Sequence, residues 1–186
     1  MMSILRNPVD RLMSHLNWTD RFNNGFDPEG LKALNEDRRA VVQQLKNTDP
    51  DSRRDLEALF LLDQPCKATW FFNRQVASLF VHQPNNLFEY LDLERISDAD
   101  LERRVSELEV CTTLSKFLRG LSDRGINSIE ERKVNGAQTQ RFTRTTLMED
   151  VCARYVAVDE RLLRLCEDQT PDLDRIAALF LKRTYM

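Results

Sequence analysis

The chain has 186 residues and a net charge of −3, with 41% hydrophobic and 31% charged residues. This length allows one ordinary domain with a buried core, and this composition is typical of a globular protein. Five glycines and six prolines are few for the many turns of a β-sandwich or barrel. Long segments instead carry apolar residues at helical spacing, so we expect a mainly α protein.

The cysteines and the hydropathy pattern indicate the cellular compartment of the protein. Cys66, Cys111, Cys152 and Cys166 are widely separated and form no C-x-x-C pair. The first residues contain no long apolar segment, and no stretch approaches the roughly 20 apolar residues of a membrane span. We therefore expect a cytoplasmic protein with reduced thiols and no membrane contact.

The first half of the chain predicts two helices. One should run from Pro28 to Lys46, since proline suits the first turn and the apolar positions recur at helical spacing. A second should run from about Ser52 to Asp63 after the breaking segment NTDPDS. We expect residues 1–50 to form an N-terminal helical extension, which could serve a protein partner, and residues 51–186 to form the main domain.

Residues 66–82 are unusually apolar and aromatic. A helix of this composition should lie in the core or at a subunit interface. A pocket for a small molecule lined by the same aromatic residues is the alternative. The segment contains Trp70, Phe71, Phe72, Val76, Leu79, Phe80 and Val81. A short helix should cover residues 85–94.

Two short helices are expected next, close together in the sequence. Ser97, with Asp100 three residues later, is typical of a helix start. The buried side of this first helix should consist of Leu101, Val105 and Leu108. After a turn at 109–111, a second helix should begin at Thr112 or Thr113. Its inner face is predicted from the spacing i, i+3, i+4, i+7 and consists of Leu114, Phe117, Leu118 and Leu121.

The outward side of this second helix carries hydroxyls and cations, which are residue types that contact phosphates and base edges. It is followed by Asn135-Gly136, a strong signal for a two-residue β-hairpin turn. The strands of the hairpin should cover about 129–134 and 137–143.

The surrounding segment is basic although the chain is acidic. Residues 111–145 hold seven basic and three acidic residues and carry +4, which leaves −7 for the remainder. A basic segment in an acidic chain indicates a localised phosphate-binding surface. Chance clustering of charge on a solvated surface is the alternative.

The run ISDADLERRV, then TTLSKFLRGLSDRGI, then ERKVNGAQTQRFT resembles the winged helix-turn-helix of bacterial regulators, most closely the MarR type. The resemblance implies a helix at 112–123 that reads the DNA major groove and a wing at 129–143 that lies along the backbone or minor groove. The fold implied is mainly α with a small hairpin wing, flanked by N- and C-terminal helices. DNA contacts are expected from Thr112, Thr113, Ser115, Lys116, Arg119, Arg132, Lys133, Gln138, Gln140 and Arg141.

The helix after the hairpin has an apolar seam with alternating spacings of three and four residues, typical of coiled-coil pairing. It could pack within one chain, or it could pair with its copy across a two-fold axis. MarR-type proteins dimerise through terminal helices, and a two-fold pair of recognition helices fits a palindromic site. We expect a homodimer that uses Met148, Val151, Tyr155, Val158, Leu162 and Leu165.

No set of residues indicates catalysis. His15 and His82 are far apart and lack the spacing of a zinc site. We expect neither an enzyme, nor a metal site, nor a cofactor. Cys111, before the second helix, is either a redox-sensitive thiol or a small buried residue.

Of three functions we favour the first, keep the second as the alternative and rank the third well below both. The first is sequence-specific binding of double-stranded DNA by a dimeric transcriptional regulator. The second is a winged-helix module for protein–protein interaction, as a subunit of a larger assembly. The third is a helical enzyme with a pocket near residues 70–80.

Overall fold

The computed structural model describes residues 2–63, 71, 73–83, 86–108, 110–123, 140–167 and 174. Within these, the side chains of residues 2–4, 110, 111, 114 and 121 are not described. The protein is mainly α-helical, as the sequence predicts. The chain divides into two compact units. Unit 1 comprises Met1–Arg6, Ile96–Lys133 and Glu160–Met186, and unit 2 comprises Asn7–Arg95 and Val134–Asp159.

Unit 2 contains most of the helices among the described residues. In chain order they are α1 (Pro8–Asp20), a 3-10 helix (Arg21–Asn24), α2 (Pro28–Ala33), α3 (Glu36–Asn47), α4 (Arg53–Leu62), α5 (Arg74–Phe80), α6 (Leu87–Glu94) and the first part of α9 (Thr146–Glu167). Side-chain caps explain several of the helix starts. Asn7 accepts hydrogen bonds from the amides of Val9 and Asp10 at the start of α1, and Ser52 accepts one from Asp55 at the start of α4.

The single helix predicted from Pro28 to Lys46 is two helices. The chain leaves the helical conformation at Leu34 and Asn35, and the Asn35 side chain accepts a hydrogen bond from the Arg38 amide. Asparagine competes well for the N-cap position. It starts a new helix here although the apolar spacing continues through it.

The core of unit 2 joins residues on both sides of the domain boundary predicted at residue 50. Val42 and Leu45 of α3 lie in one buried cluster with Leu56, Leu59 and Phe60 of α4. Because α3 and α4 pack against each other, residues 1–50 are not a separate extension. Residues 7–50 instead belong to the same compact unit as residues 51–95.

Unit 1 contains β1 (Met2–Leu5), α7 (Asp98–Ser106), β2 (Val110–Thr113), α8 (Leu114–Asp123) and the end of α9. The two strands form a parallel pair in which Met2 lies opposite Val110 and Leu5 opposite Thr113. The extreme N-terminal residues therefore pair with a strand more than 100 positions later. Both strands contact α8.

Candidate nucleic-acid interface

The start of α7 is as the sequence predicts. The Ser97 hydroxyl accepts a hydrogen bond from the Asp100 amide (3.1 Å) and donates one to the Asp100 carboxylate (2.7 Å). Leu101 and Val105 lie on the buried side of the helix. The capping residue and the burial of Leu101 and Val105 are thus confirmed, whereas Leu108, predicted on the same side, lies beyond the end of α7 and is half-buried.

The connection between α7 and α8 differs from the prediction. Where a turn and the start of a helix were expected, residues 110–113 form β2, and α8 begins at Leu114. Thr112 and Thr113 are 0% and 4% exposed, so the prediction that they face DNA is wrong. Pairing with β1 holds them in extended conformation, which is the reason that the helix starts later.

Thr113 has a local role instead. Its hydroxyl accepts a hydrogen bond from the Lys116 amide at 3.3 Å and lies 3.1 Å from the Ser115 hydroxyl. This geometry is that of a helix N-cap. Thr113, one of the two threonines predicted as helix caps, therefore caps α8, and it is also the last residue of β2.

One side of α8 is exposed and polar. Ser115, Arg119 and Ser122 are exposed, and their spacing of i, i+4, i+7 places them on one face of the helix. Phe117 and Leu118, predicted to face inward, are half-buried. Arg119 forms no ion pair with any residue that the structure describes.

Lys116 is used within unit 1. Its ammonium donates a hydrogen bond to the backbone carbonyl of Glu167, at the end of α9. A cation at a helix C-terminus is favoured by the helix dipole. Nearby in the sequence of α9, Arg161 donates to the Asp98 carboxylate (2.7 Å) and to the carbonyl of Ile96 (2.6 Å). The end of α9 is therefore attached to the start of α7 and to α8.

Most of the predicted wing lies outside the described residues. This applies to Arg132, Lys133, Gln138 and the turn at Asn135-Gly136, whose roles stay predictions. Gln140 is described and exposed.

Arg141 is described and is engaged with the body of unit 2. It donates to the Asp20 carboxylate at 2.9 Å, to the Thr48 carbonyl at 2.5 Å and to the carbonyl of Leu45. Its guanidinium joins α1 to the end of α3 and so has a structural role that the sequence did not suggest.

The apolar seam of α9 is covered within the single chain. The aromatic ring of Tyr155 stacks on Phe60 with 4.7 Å between ring centroids, and Leu165 is half-buried. The other members are 0–8% exposed, so the seam is not available as the predicted dimer interface. The alternative, packing within one chain, accounts for Met148, Val151, Val158 and Leu162.

The aromatic segment belongs to the core where it is described. Phe71 is 1% exposed and contacts the rings of His15 and Phe60 edge-on. Val76, Leu79 and Phe80 are also buried. Core packing, preferred from the sequence over a small-molecule pocket, is confirmed for these residues. Trp70 and Phe72 lie outside the described residues. In the part of the chain that the structure describes, no three His, Cys, Asp or Glu side chains are grouped to hold a metal ion.

The sequence analysis missed several buried polar residues, of which two lie at one helix contact. Asn73 and Asp159 are 2% and 1% exposed and lie at the contact between α5 and α9. A signal for Asp159 was available, because it lies among the apolar seam residues, between Tyr155 and Leu162. An acidic residue on the inner face of an apolar helix must find buried hydrogen-bond donors.

Comparison of the chain with protein-family models, with curated proteins and with solved structures found no match. Among the described helices, none combines the length and the apolar character needed to cross a membrane.

Proposed function

We propose that this protein binds double-stranded DNA through the exposed side of α8 and regulates transcription. The proposal depends on the environment of Arg119. This residue is exposed and forms no ion pair among the described residues. It lies on the same helix face as the exposed Ser115 and Ser122. An arginine can contact a phosphate or, with two hydrogen bonds, the edge of a guanine.

The anchoring of α8 supports this assignment. Thr113 caps its first turn, and Lys116 attaches it to the end of α9. A helix that reads a groove must hold its side chains in a defined geometry, and sites on anchored helices meet this need better than loops. Lys116 serves here as a positioning residue. The contact to DNA is assigned to Arg119 and Ser115.

The test compares Arg119→Ala with Arg164→Ala. Arg164 is also exposed and belongs to the same unit, but it lies on α9, so both variants remove one positive charge from unit 1. Fluorescence polarisation with a labelled random duplex pool should show weaker binding for Arg119→Ala. The slope of log affinity against log salt should flatten by about 1, as expected for one lost phosphate contact. Arg164→Ala should bind as the wild type does.

Equal losses in the two variants would show that α8 is not the contact surface. No retention of duplex DNA by the wild type at low salt would refute DNA binding and favour the second function, a module for protein–protein interaction. Sequence specificity is tested separately by selecting bound sequences from the pool. A palindromic consensus would indicate a two-fold dimer, for which another interface than the α9 seam is needed.

A further inference from the structure

Asn73 is bonded to the backbone of α9. Its side-chain oxygen accepts hydrogen bonds from the backbone amides of Val158 (2.8 Å) and Asp159 (3.2 Å). Its backbone amide donates a hydrogen bond to the Tyr155 carbonyl (2.6 Å). The amide of residue 159 and the carbonyl of residue 155 are partners in the regular ladder of an α-helix. Asn73 therefore attaches to α9 at one turn of its ladder.

The conformation of Asn73 fits this role. Its φ is 39°, in the left-handed region, which asparagine adopts more readily than most residues with a side chain. It is buried and stands directly before α5. The same residue thus precedes the first turn of α5 and bonds to α9.

Asp159 completes the contact from the other side. One carboxyl oxygen accepts a hydrogen bond from the Gln75 amide (3.0 Å) and the other accepts one from the Val76 amide (2.7 Å). Both amides belong to the first turn of α5. We call the set Asn73, Gln75, Val76 and Asp159 the α5–α9 junction.

The carboxyl of Asp159 has backbone donors but no cation in contact within the described part of the chain. Arg11 on α1 and Arg74 on α5 are the charged groups that act on it through space. A buried carboxylate without a paired cation is costly to ionise. Burial accordingly raises the pKa of Asp159 to about 6, against the lowering effect of the two amides and of the arginines.

We propose that the Asp159 carboxyl makes the α5–α9 junction sensitive to protons, so that the neutral acid holds the junction closed and ionisation favours local opening of α5. The direction follows from linkage. Opening returns the carboxyl to water, where its pKa is the ordinary 3.8, so the closed junction binds the proton more tightly than the open one. The closed state is therefore most stable below pH 3.8, weakens as the pH rises from 3.8 through 6, and changes little at higher pH.

The test is amide hydrogen exchange at Gln75 and Val76, measured by NMR on the whole protein between pH 5 and pH 7.5. After correction for the intrinsic exchange rate, protection should fall by about tenfold over this range, as two pKa values of 3.8 and about 6 require. Asp159→Asn, which is isosteric and neutral, should remove the dependence. Asp150→Asn, at an exposed acid on the same helix, should retain it. His15, which lies near the same arginines, is present in all these proteins.

The carbon-13 titration of the Asp159 carboxyl in the wild type gives a second measurement that needs no variant. A midpoint near 6 supports the proposal. A midpoint near 4, flat protection in the wild type, or the same dependence in Asp159→Asn as in the wild type would overturn it.

Discussion

Asn17 and Phe142 are joined by two reciprocal hydrogen bonds across 125 positions of the chain. The Asn17 side-chain amide donates to the Phe142 carbonyl at 2.7 Å, and the Phe142 amide donates to the Asn17 side-chain oxygen at 2.9 Å. Both residues are buried in unit 2. A side-chain amide here replaces the pairing that a neighbouring strand would offer the backbone, and it fixes the segment that leads into α9.

Asn17→Ala should therefore lower the free energy of unfolding by about 2–4 kcal/mol, since it leaves two buried backbone groups of Phe142 without partners. Urea denaturation followed by circular dichroism measures this loss. The matched control is Asn47→Ala, because Asn47 is exposed and makes one long hydrogen bond to the carbonyl of Gln43 (3.4 Å). Similar small losses in both variants would contradict the assigned role.

Arg141 should be needed for stability. Arg141→Ala removes the ion pair with Asp20 and the bonds to the carbonyls of Leu45 and Thr48, and we expect a loss of about 2 kcal/mol. Arg141→Lys should recover little, because a lysine cannot reproduce the planar set of donors. Denaturant titration should separate these variants from Arg39→Ala, whose guanidinium is exposed and makes one long bond at 3.4 Å. Full stability of Arg141→Lys would show that charge alone matters.

The side chain of Met148 should stabilise the fold of one chain by itself, without a second copy. It is 0% exposed within the core of unit 2, so Met148→Ala should cost about 2–5 kcal/mol. The loss should be the same at low and high protein concentration, because the seam is buried without a second copy. Ala153→Gln, at an exposed position of the same helix, should change little. A loss that grows on dilution would indicate that the seam forms an interface between chains.

The pH dependence of stability should reveal two opposed groups in unit 2. Burial, followed by the charges of Arg11, Arg74 and Arg38, lowers the pKa of His15 from 6.5 to about 4. The neutral imidazole therefore stabilises the fold above pH 6.5, and this contribution is lost as the pH falls through 4. Asp159, whose folded pKa is raised to about 6, contributes stability below pH 3.8 that is lost as the pH rises through 6.

Between pH 4 and pH 6 these two slopes oppose each other, each at about 1.4 kcal/mol per pH unit. In His15→Phe, of these two slopes only that of Asp159 remains. The free energy of unfolding of this variant should therefore fall, relative to the wild type, as the pH rises. Asp159→Asn should show the reverse. Urea titrations at four pH values in this window measure both slopes, and parallel curves for all three proteins would refute the opposed titrations.

Several local features could be read from the sequence. The cap at Ser97, the helix α6 within 85–94, the buried side of α7 and the apolar side of α9 depend on residues within a few positions of one another. Capping hydrogen bonds and helical periodicity act over that range, so the pattern alone predicts them. The break at Asn35 was also local, but the continuing apolar spacing concealed it.

Only the tertiary structure shows which distant segments pack against these helices and strands. The seam of α9 predicts an apolar contact but does not distinguish a second copy from Phe60 of the same chain. β2 forms because residues 2–5 lie beside it, and Asp159 lies buried because the amides of α5 meet it. Each of these contacts joins segments far apart in the chain. Their free energy depends on the packing of the complete core, and no window of neighbouring residues contains it.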